Sequence, residues 1–585
     1  MKSTKEKFTK LLKVLIIFSS IIGLTSIILE YGFSLKGEFA IFLHDSVIGV
    51  FIFFIIYQII LFLFSKEKKE YLLTHKIEFL FIIFIIVEAI LSFFDNSIIK
   101  KIGFAFNIED IAYLYIIFAQ FFIVIGLILG GLRYNNKILQ SKLDPSRLFV
   151  LSFFITILVG ALLLMLPTAT TKGSNNIVDA LFTSTSAVCV TGLISVDTAT
   201  YYTKFGQIVI MLLFQIGGLG LMTFTTFFAL FLSGGLGFKE RIVLRDLMDE
   251  ENIGAITKII SYLALITFAI EAIGAVSLFL SIHNQVPKLS EAIFISIFHA
   301  ISAFCNAGFS IFSANLMDSL VNKNYIFTNT IALLIILGGI GFGTIMNVFN
   351  IQSYKISTRH ISTKFSLQTR IVLITTLILI VIGTLATYAL EYNGALKNMD
   401  TIGKLNASFF SSVSARTAGF NTFDYGKTSL ATTIFYCFLM FVGASPGGTG
   451  GGIKTTTFAL IIFGSIAVIR NSKNVTYKNR TIPKDTLLRG LIKSFLTISL
   501  ITSGIFLISI TDKFSLTDIS FEVFSAFGTV GLSRGITFYL SDFGKIILIL
   551  MMFIGRVGPL AFIYSLIKTK ENPAYDLPED NISIL

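Results

Sequence analysis

Four short stretches of the chain carry residues on which chemistry can be built: SAVCVTGL (186–193), SAFCNAGF (302–309), SARTAGF (414–420) and SAFGTVGL (525–532). None places acids, histidines or a nucleophile beside a base. What each offers is backbone around one glycine, in the tetrads Val190-Thr191-Gly192-Leu193, Asn306-Ala307-Gly308-Phe309, Thr417-Ala418-Gly419-Phe420 and Thr529-Val530-Gly531-Leu532. Glycine admits backbone conformations that other residues avoid, and carbonyls aimed inward can replace the hydration shell of a cation. Small residues also let helices pack closely. The glycines lie 116, 111 and 112 residues apart by their numbers. A period held over four copies favours a shared ring of carbonyls over four separate packing contacts.

A second candidate is the run GASPGGTGGGIKTTT (443–457). A phosphate-cradling loop needs lysine directly after the last glycine of G-x-x-x-x-G-K-[ST], and here Ile453 separates Gly452 from Lys454. Its flanks, FYCFLMFV and FALIIFGSIAVI, read as buried helix rather than as a strand leading into a soluble helix. Spacing and flanks both count against a nucleotide site, and no organic cofactor is expected. Gly217, Gly338, Gly443 and Gly555 follow the tetrad glycines by 25, 30, 24 and 24 residues, so GGLG, GGIG and GRVG match this run in place. Only the third is expanded into a loop, where its glycines and Pro446 break the helix.

These residues require a membrane around them. The chain of 585 residues is 54% hydrophobic and 14% charged, with a mean hydropathy of +0.83. Soluble domains carry roughly 25% charged residues, so composition alone assigns a membrane protein. Cys189, Cys305 and Cys437 show no pairing or metal-ligand spacing, and the five histidines are scattered. His299 reads as a packed polar residue.

Long apolar segments precede the tetrads at about 147–166, 256–282, 365–391 and 487–510, and others follow at about 204–232, 325–349, 429–470 and 543–568. Between them, stretches such as DALFTSTSAV fall short of the ~20 residues a spanning helix needs and suit re-entrant half-helices. The predicted fold is an all-α membrane protein: four tandem membrane–pore-loop–membrane repeats around one pseudo-four-fold ion pore, plus extra N-terminal transmembrane helices. The divisions are 1–146, an extension of about four such helices; 147–255; 256–364; 365–486; and 487–585 with a cytosolic tail.

The net charge of +12 is distributed as alternate basic links, such as Lys66, Lys68, Lys69 and Lys76, then Arg133, Lys137, Lys142 and Arg147. This positive-inside pattern places both termini in the cytoplasm and removes nucleic acid as a partner. The basic start MKSTKEKFTKLLK lacks a cleavage site and reads as the flank of a retained helix. The tetrads then open outward, followed by Asp197, Asp318, Asp424 and Asp542, which are placed to attract cations.

The four units, their tetrads, the run 443–457 and FIGRVGPL (553–560) resemble the Trk/Ktr/HKT superfamily of potassium and sodium transporters, over residues 147–585. The resemblance implies potassium as the transported ion at the tetrads, a homodimer with one pore per subunit, and a cytosolic nucleotide-binding regulatory ring. Glycine at Gly192 and in the other three tetrads favours potassium. A sodium-selective pathway or a sodium- or proton-coupled symporter of the same fold is the alternative. The ending YDLPEDNISIL resembles the tails of bacterial members, which implies a bacterial plasma membrane.

The same resemblance implies an intramembrane gate at Gly443, Ser445, Pro446, Gly447, Gly448, Thr449, Gly450, Gly451, Gly452 and Lys454, with Arg556 beside it as a fixed positive charge; a static break that accommodates close packing, with a paired structural arginine, is the alternative. An unpaired arginine at a helix centre costs roughly 2.5–3.5 kcal/mol on insertion scales, so Arg556 needs partners. Glu271 is a candidate counter-ion for Arg556 or for Arg416, which is placed to brace the third half-helix. Lys454 either joins the gate or extends toward water. The extension carries Glu88 and the pair His44-Asp45, candidates for assembly surfaces or for another function. Two other classes stay open: a larger-solute transporter, weakened because all four repeats share one orientation where inverted repeats are expected, and an enzyme, for which no acids, histidines or nucleophile cluster.

Overall fold

The computed structural model describes residues 145–220, 253–349, 365–472, 474–477 and 480–566, with scattered positions between 25 and 68. The expectations for the N-terminal extension, including Glu88 and His44-Asp45, and for most of the basic links lie outside the described residues.

The architecture is helical, with one short hairpin pairing Val475–Tyr477 antiparallel to Arg480–Ile482. Four outer helices span Pro145–Leu164, Ile253–Ile282, Leu367–Glu391 and Lys484–Thr511. Each precedes a short helix: Ile177–Val188, Leu289–Phe304, Thr401–Ser414 and Leu516–Gly528. Inner helices begin at Lys204, Tyr325, Leu430 and Asp542. Among the described residues, Ala264–Ile282, Leu367–Glu391 and Lys484–Thr511 are each long and apolar enough to cross a membrane.

Side-chain placement is inverted relative to a soluble protein. Ile273, Val276, Leu280, Leu377, Leu385 and Phe495 stand exposed on the outer helices, a surface that water would not tolerate and a bilayer would. The short helices instead bury hydroxyls: Thr183, Ser184, Thr185 and Ser186 in the first, and Ser408, Ser411, Ser412 and Ser414 in the third. These polar atoms are largely served within the bundle, as where Ser184 Oγ donates to the Ile157 carbonyl at 2.7 Å.

Two inner segments that read as continuous in the sequence are broken. Tyr325–Gly339 and Phe342–Val348 meet at 99°, and Asp542–Val557 and Pro559–Leu566 meet at 97°. The breaks fall at Gly341 (φ +87°) and Gly558 (φ +89°), a conformation that favours glycine. Apolar periodicity runs on across both, so hydropathy alone merges the pieces.

Asp197, Asp318 and Asp424 have a local structural use. Their carboxylates accept from the backbone N–H of Ala199 at 3.1 Å, Leu320 at 3.0 Å and Gly426 at 2.9 Å, building the turns beyond each tetrad.

Candidate functional site

The short helices end at the tetrads, and there the four glycines come together. A Cβ built on Gly192 would lie 2.5 Å from the Ala307 carbonyl oxygen, one on Gly308 2.7 Å from that of Ala418, and one on Gly419 2.6 Å from that of Val530. Gly531 completes the circuit by facing the Thr191 carbonyl. Each glycine therefore abuts the carbonyl of the next tetrad's preceding residue, and the fourth abuts the first.

The backbone that makes this ring is unusual at two positions per tetrad. Val190, Asn306, Thr417 and Thr529 have φ of 57°, 60°, 75° and 49°, and Gly192, Gly308, Gly419 and Gly531 have φ of 88°, 69°, 79° and 92°. The residue between them has ordinary negative φ. Alternating hands turn successive peptide planes so that their carbonyls face one side, unlike a strand, where they alternate. Holding a non-glycine residue left-handed costs about 1–2 kcal/mol, and valine and threonine are poor candidates for it.

A serine in each stretch helps to hold that backbone, a role the sequence reading did not assign. The carbonyls of Ser186, Ser302, Ser414 and Ser525 accept from the N–H of Thr191, Ala307, Ala418 and Val530 at 2.7–2.9 Å. Their hydroxyls divide the work. Ser186 and Ser525 accept from the N–H of Gly192 and Gly531, both at 3.0 Å, while Ser302 and Ser414 donate to the carbonyls of Phe309 and Phe420. The signal was present, since serine precedes the glycine by six, six, five and six residues. Leu193, Phe309, Phe420 and Leu532 are buried behind the ring.

Four helix C-termini converge on this place, capped at Cys189, Cys305, Ala415 and Thr529. Each presents the negative end of its dipole, equivalent to roughly half an electron charge, so the ring favours a cation before any side chain is counted.

The loop from Gly443 to Lys454 is laced to its surroundings by backbone. Its ends are drawn together by a parallel bridge of Val442 with Ile453, in which Gly443 N donates to the Ile453 carbonyl at 2.9 Å. Ser445 N donates to Gly339 O at 3.0 Å, Thr449 N to Gly338 O at 3.2 Å, and Phe342 N to Gly447 O at 3.1 Å. Pro446 contributes a carbonyl packed against Gly341, and Gly448 N closes a turn to Ser445 O at 3.0 Å. Ser445 Oγ accepts from Thr455 Oγ1 at 2.9 Å. Gly447 and Gly452 take φ of 71° and 68°. Gly450 and Gly451 sit against the side chains of Thr417 and Thr529.

Arg556 has its partners in carbonyls rather than acids. It donates through Nη1 to Thr449 O in the loop and through Nη2 to Gly217 O on the first inner helix. Lys454 turns back into the loop, its Nζ 2.7 Å from Gly450 O, rather than reaching for water. Gly217, Gly338 and Gly555 press against the carbonyls of Val188, Phe304 and Phe527, where inner helix meets short helix; Gly443 instead meets Gly451 of its own loop.

Glu271 is not the counter-ion of either arginine among the described residues. Its carboxylate accepts from Gln215 Nε2 at 3.1 Å, with the Cys305 thiol 3.8 Å away. Arg416 Nη2 reaches Thr376 Oγ1, 3.4 Å away on the third outer helix. His299 is packed: its ring nitrogens lie 2.8 Å from Ile295 O and 3.0 Å from Ser310 Oγ, and the ring stacks on Phe312.

The model of the TrkH cation transport protein family matches residues 117–576. The chain belongs to this family. It is accordingly a multi-pass membrane transporter and not an enzyme. It is 42% identical over 449 residues to the Ktr system potassium uptake protein B of Bacillus subtilis, covering 75% of this chain and 97% of that one. It is 37% identical over 460 residues to the potassium/sodium uptake protein NtpJ of Enterococcus hirae, covering 77% and 99%. Its fold is similar to the crystal structure of the potassium transporter TrkH from Vibrio parahaemolyticus, with a TM-score of 0.59 at 18% identity over 82% of this chain and 96% of that one. The family match begins at 117, inside the 1–146 extension and ahead of the 147 set by the tetrad units.

Proposed function

We propose that the chain carries potassium into a bacterial cell across the plasma membrane, through a pore whose narrowest, selecting part is the four-tetrad ring. The observation that carries this reading is the closed circuit of Gly192, Gly308, Gly419 and Gly531, each against the next tetrad's carbonyl, with φ alternating in sign. Such a ring offers a dehydrated cation oxygen ligands and the negative ends of four helices. Four membrane–pore-loop–membrane repeats around that axis, behind an N-terminal helical extension, are the architecture this assigns.

The loop 443–454 is the gate in this reading. It lies against the ring at Thr417 and Thr529, and Arg556 and Lys454 bind its carbonyls. A guanidinium and an ammonium fixed there oppose a cation leaving the ring inward. A homodimer, and control by a cytosolic nucleotide-binding ring, complete the proposal; naming of relatives as parts of a Ktr system supports a multicomponent assembly.

A sodium pathway is the second reading, favoured by the name of the Enterococcus relative, potassium/sodium uptake protein. Growth of a potassium-uptake-deficient bacterium on limiting potassium, with parallel rubidium and sodium uptake, separates the two. Rescue with saturable rubidium entry is expected. Sodium entry without rescue, with a regulatory partner supplied, would overturn potassium as the cargo.

A further inference from the structure

The residues two places before the ring glycines carry a second feature besides their left-handed backbone: three of the four bear side-chain oxygens. Thr529 Oγ1 accepts from the Gly451 N–H of the loop at 2.8 Å. Thr417 Oγ1 lies against Gly450 and 3.4 Å from the Asn306 amide. That amide is best satisfied with its nitrogen toward Ile335 O at 3.2 Å and Ala303 O at 3.0 Å, which turns its oxygen toward Thr417. Val190, at the fourth position, is apolar. Thr417, Asn306 and Thr529 are each buried.

The loop is shaped around these hydroxyls. A Cβ on Gly451 would lie 2.5 Å from Thr529 Oγ1 and 2.9 Å from its Cγ2, and one on Gly450 would collide with Thr417 Oγ1. Gly451 does not have the positive φ of Gly447 or Gly452, so backbone conformation does not demand glycine there. The demand is for space beside the hydroxyl. A buried hydroxyl deprived of its partner is costly, and when the loop leaves, the group best placed to replace the lost N–H at the oxygen is an entering cation.

We infer that the Thr529 hydroxyl oxygen has two alternating occupants, the Gly451 N–H when the loop is shut and the transported monovalent cation when it is open, with Thr417 and Asn306 completing a ligand shell at the inner mouth of the ring. This rests on the reading of the ring as the ion path and of the loop as its gate. It adds competition between latch and ion for one oxygen, so that inner-mouth occupancy itself disfavours closure.

The test is rubidium influx into proteoliposomes holding the full-length chain without a partner. Thr529→Val removes the oxygen at nearly constant volume. It is expected to raise influx roughly three- to tenfold, the shift that one ordinary hydrogen bond makes in a two-state population. It is also expected to show a rubidium concentration at half-saturation above that of Gly451→Ala, in which the latch alone is weakened. Gly451→Ala displaces the loop but leaves the oxygen, so influx rises and half-saturation falls, as it must when a competitor for the oxygen is weakened. Thr529→Ser gives smaller changes than Thr529→Val in both readings. Wild-type influx in Thr529→Val and Gly451→Ala, both monodisperse, overturns the latch; a half-saturation in Thr529→Val no higher than that of Gly451→Ala overturns the ligand. Gly192→Ser in the Gly451→Ala background reads the ring separately: an unchanged rubidium-to-sodium preference there sinks the ring reading and the ligand role with it, whereas a changed one with a failed Thr529 result sinks this inference alone.

Discussion

Lys545 Nζ and Asp179 Oδ1 meet at 2.8 Å, joining the last inner helix to the first short helix across 366 positions of chain. Both side chains are mostly covered, at 10% and 14% exposure, so the pair closes the circle of helices where the chain itself cannot. Removing one partner of a covered ion pair leaves the other uncompensated, at a cost of about 3 kcal/mol, the lower end for buried pairs because this one is not fully dry. Asp179→Asn is expected to lower the melting temperature in detergent, and Asp179→Lys with Lys545→Asp to recover part of it. A swap no better than the single variants would show that the contact is incidental.

A side chain on a ring glycine should disturb the ring, most severely where the facing carbonyl is nearest. At Gly531 both φ of 92° and the Thr191 carbonyl oppose one, so Gly531→Ala is expected to abolish rubidium uptake while the protein still reaches the membrane. Gly192→Ser, against the Ala307 carbonyl, is expected to weaken potassium preference over sodium, read as the ratio of uptake rates. An unaltered ratio would remove Gly192 from the selecting ring.

The serine hydroxyls give a milder perturbation of the same backbone. Ser186→Ala and Ser525→Ala each leave a ring-glycine N–H without its 3.0 Å acceptor, a loss of about 1 kcal/mol or more in a buried setting. Selectivity should fall in both, with total uptake largely kept. Ser302→Ala and Ser414→Ala release carbonyls instead, and the two classes are distinguishable by comparing sodium leak.

Arg556→Gln keeps a donor but removes the charge beside the Thr449 and Gly217 carbonyls. Inward flux is expected to rise several-fold, since both the barrier and the tie to the loop weaken. Deleting residues 446–451 should raise it further and reduce regulation. Low, still regulated flux in a correctly inserted deletion would end the gate assignment.

Much of this was open to a reader of the residues, and the failures have physical causes. Composition alone assigned the membrane class, because a bilayer requires apolar surface that water forbids. The period of the glycines identified residues that lie in one ring. The serine hydroxyls escaped notice because a small polar residue in an apolar run reads as tolerated, not as a hydrogen-bonding strut. The bends at Gly341 and Gly558 were lost for the opposite reason: the apolar pattern continues through a change of direction. Charges misled in their own way. Glu271 looked like a counter-ion, yet Gln215 provides its hydrogen bonds; the turns that Asp197, Asp318 and Asp424 build are an additional use of their carboxylates and leave their charge in place.

The bridge between Val442 and Ile453 pinches the glycine loop at its neck. The two helices on either side, Leu430–Phe441 and Thr455–Ile469, are thereby held at one separation whatever the lobe between them does. The lobe behaves as an Ω-loop hung from a closed stem, and its excursions cost its own hydrogen bonds, with no widening of the bundle. A displacement of the lobe would therefore break its ties to Gly338, Gly339 and Thr529 without parting the two helices that flank it.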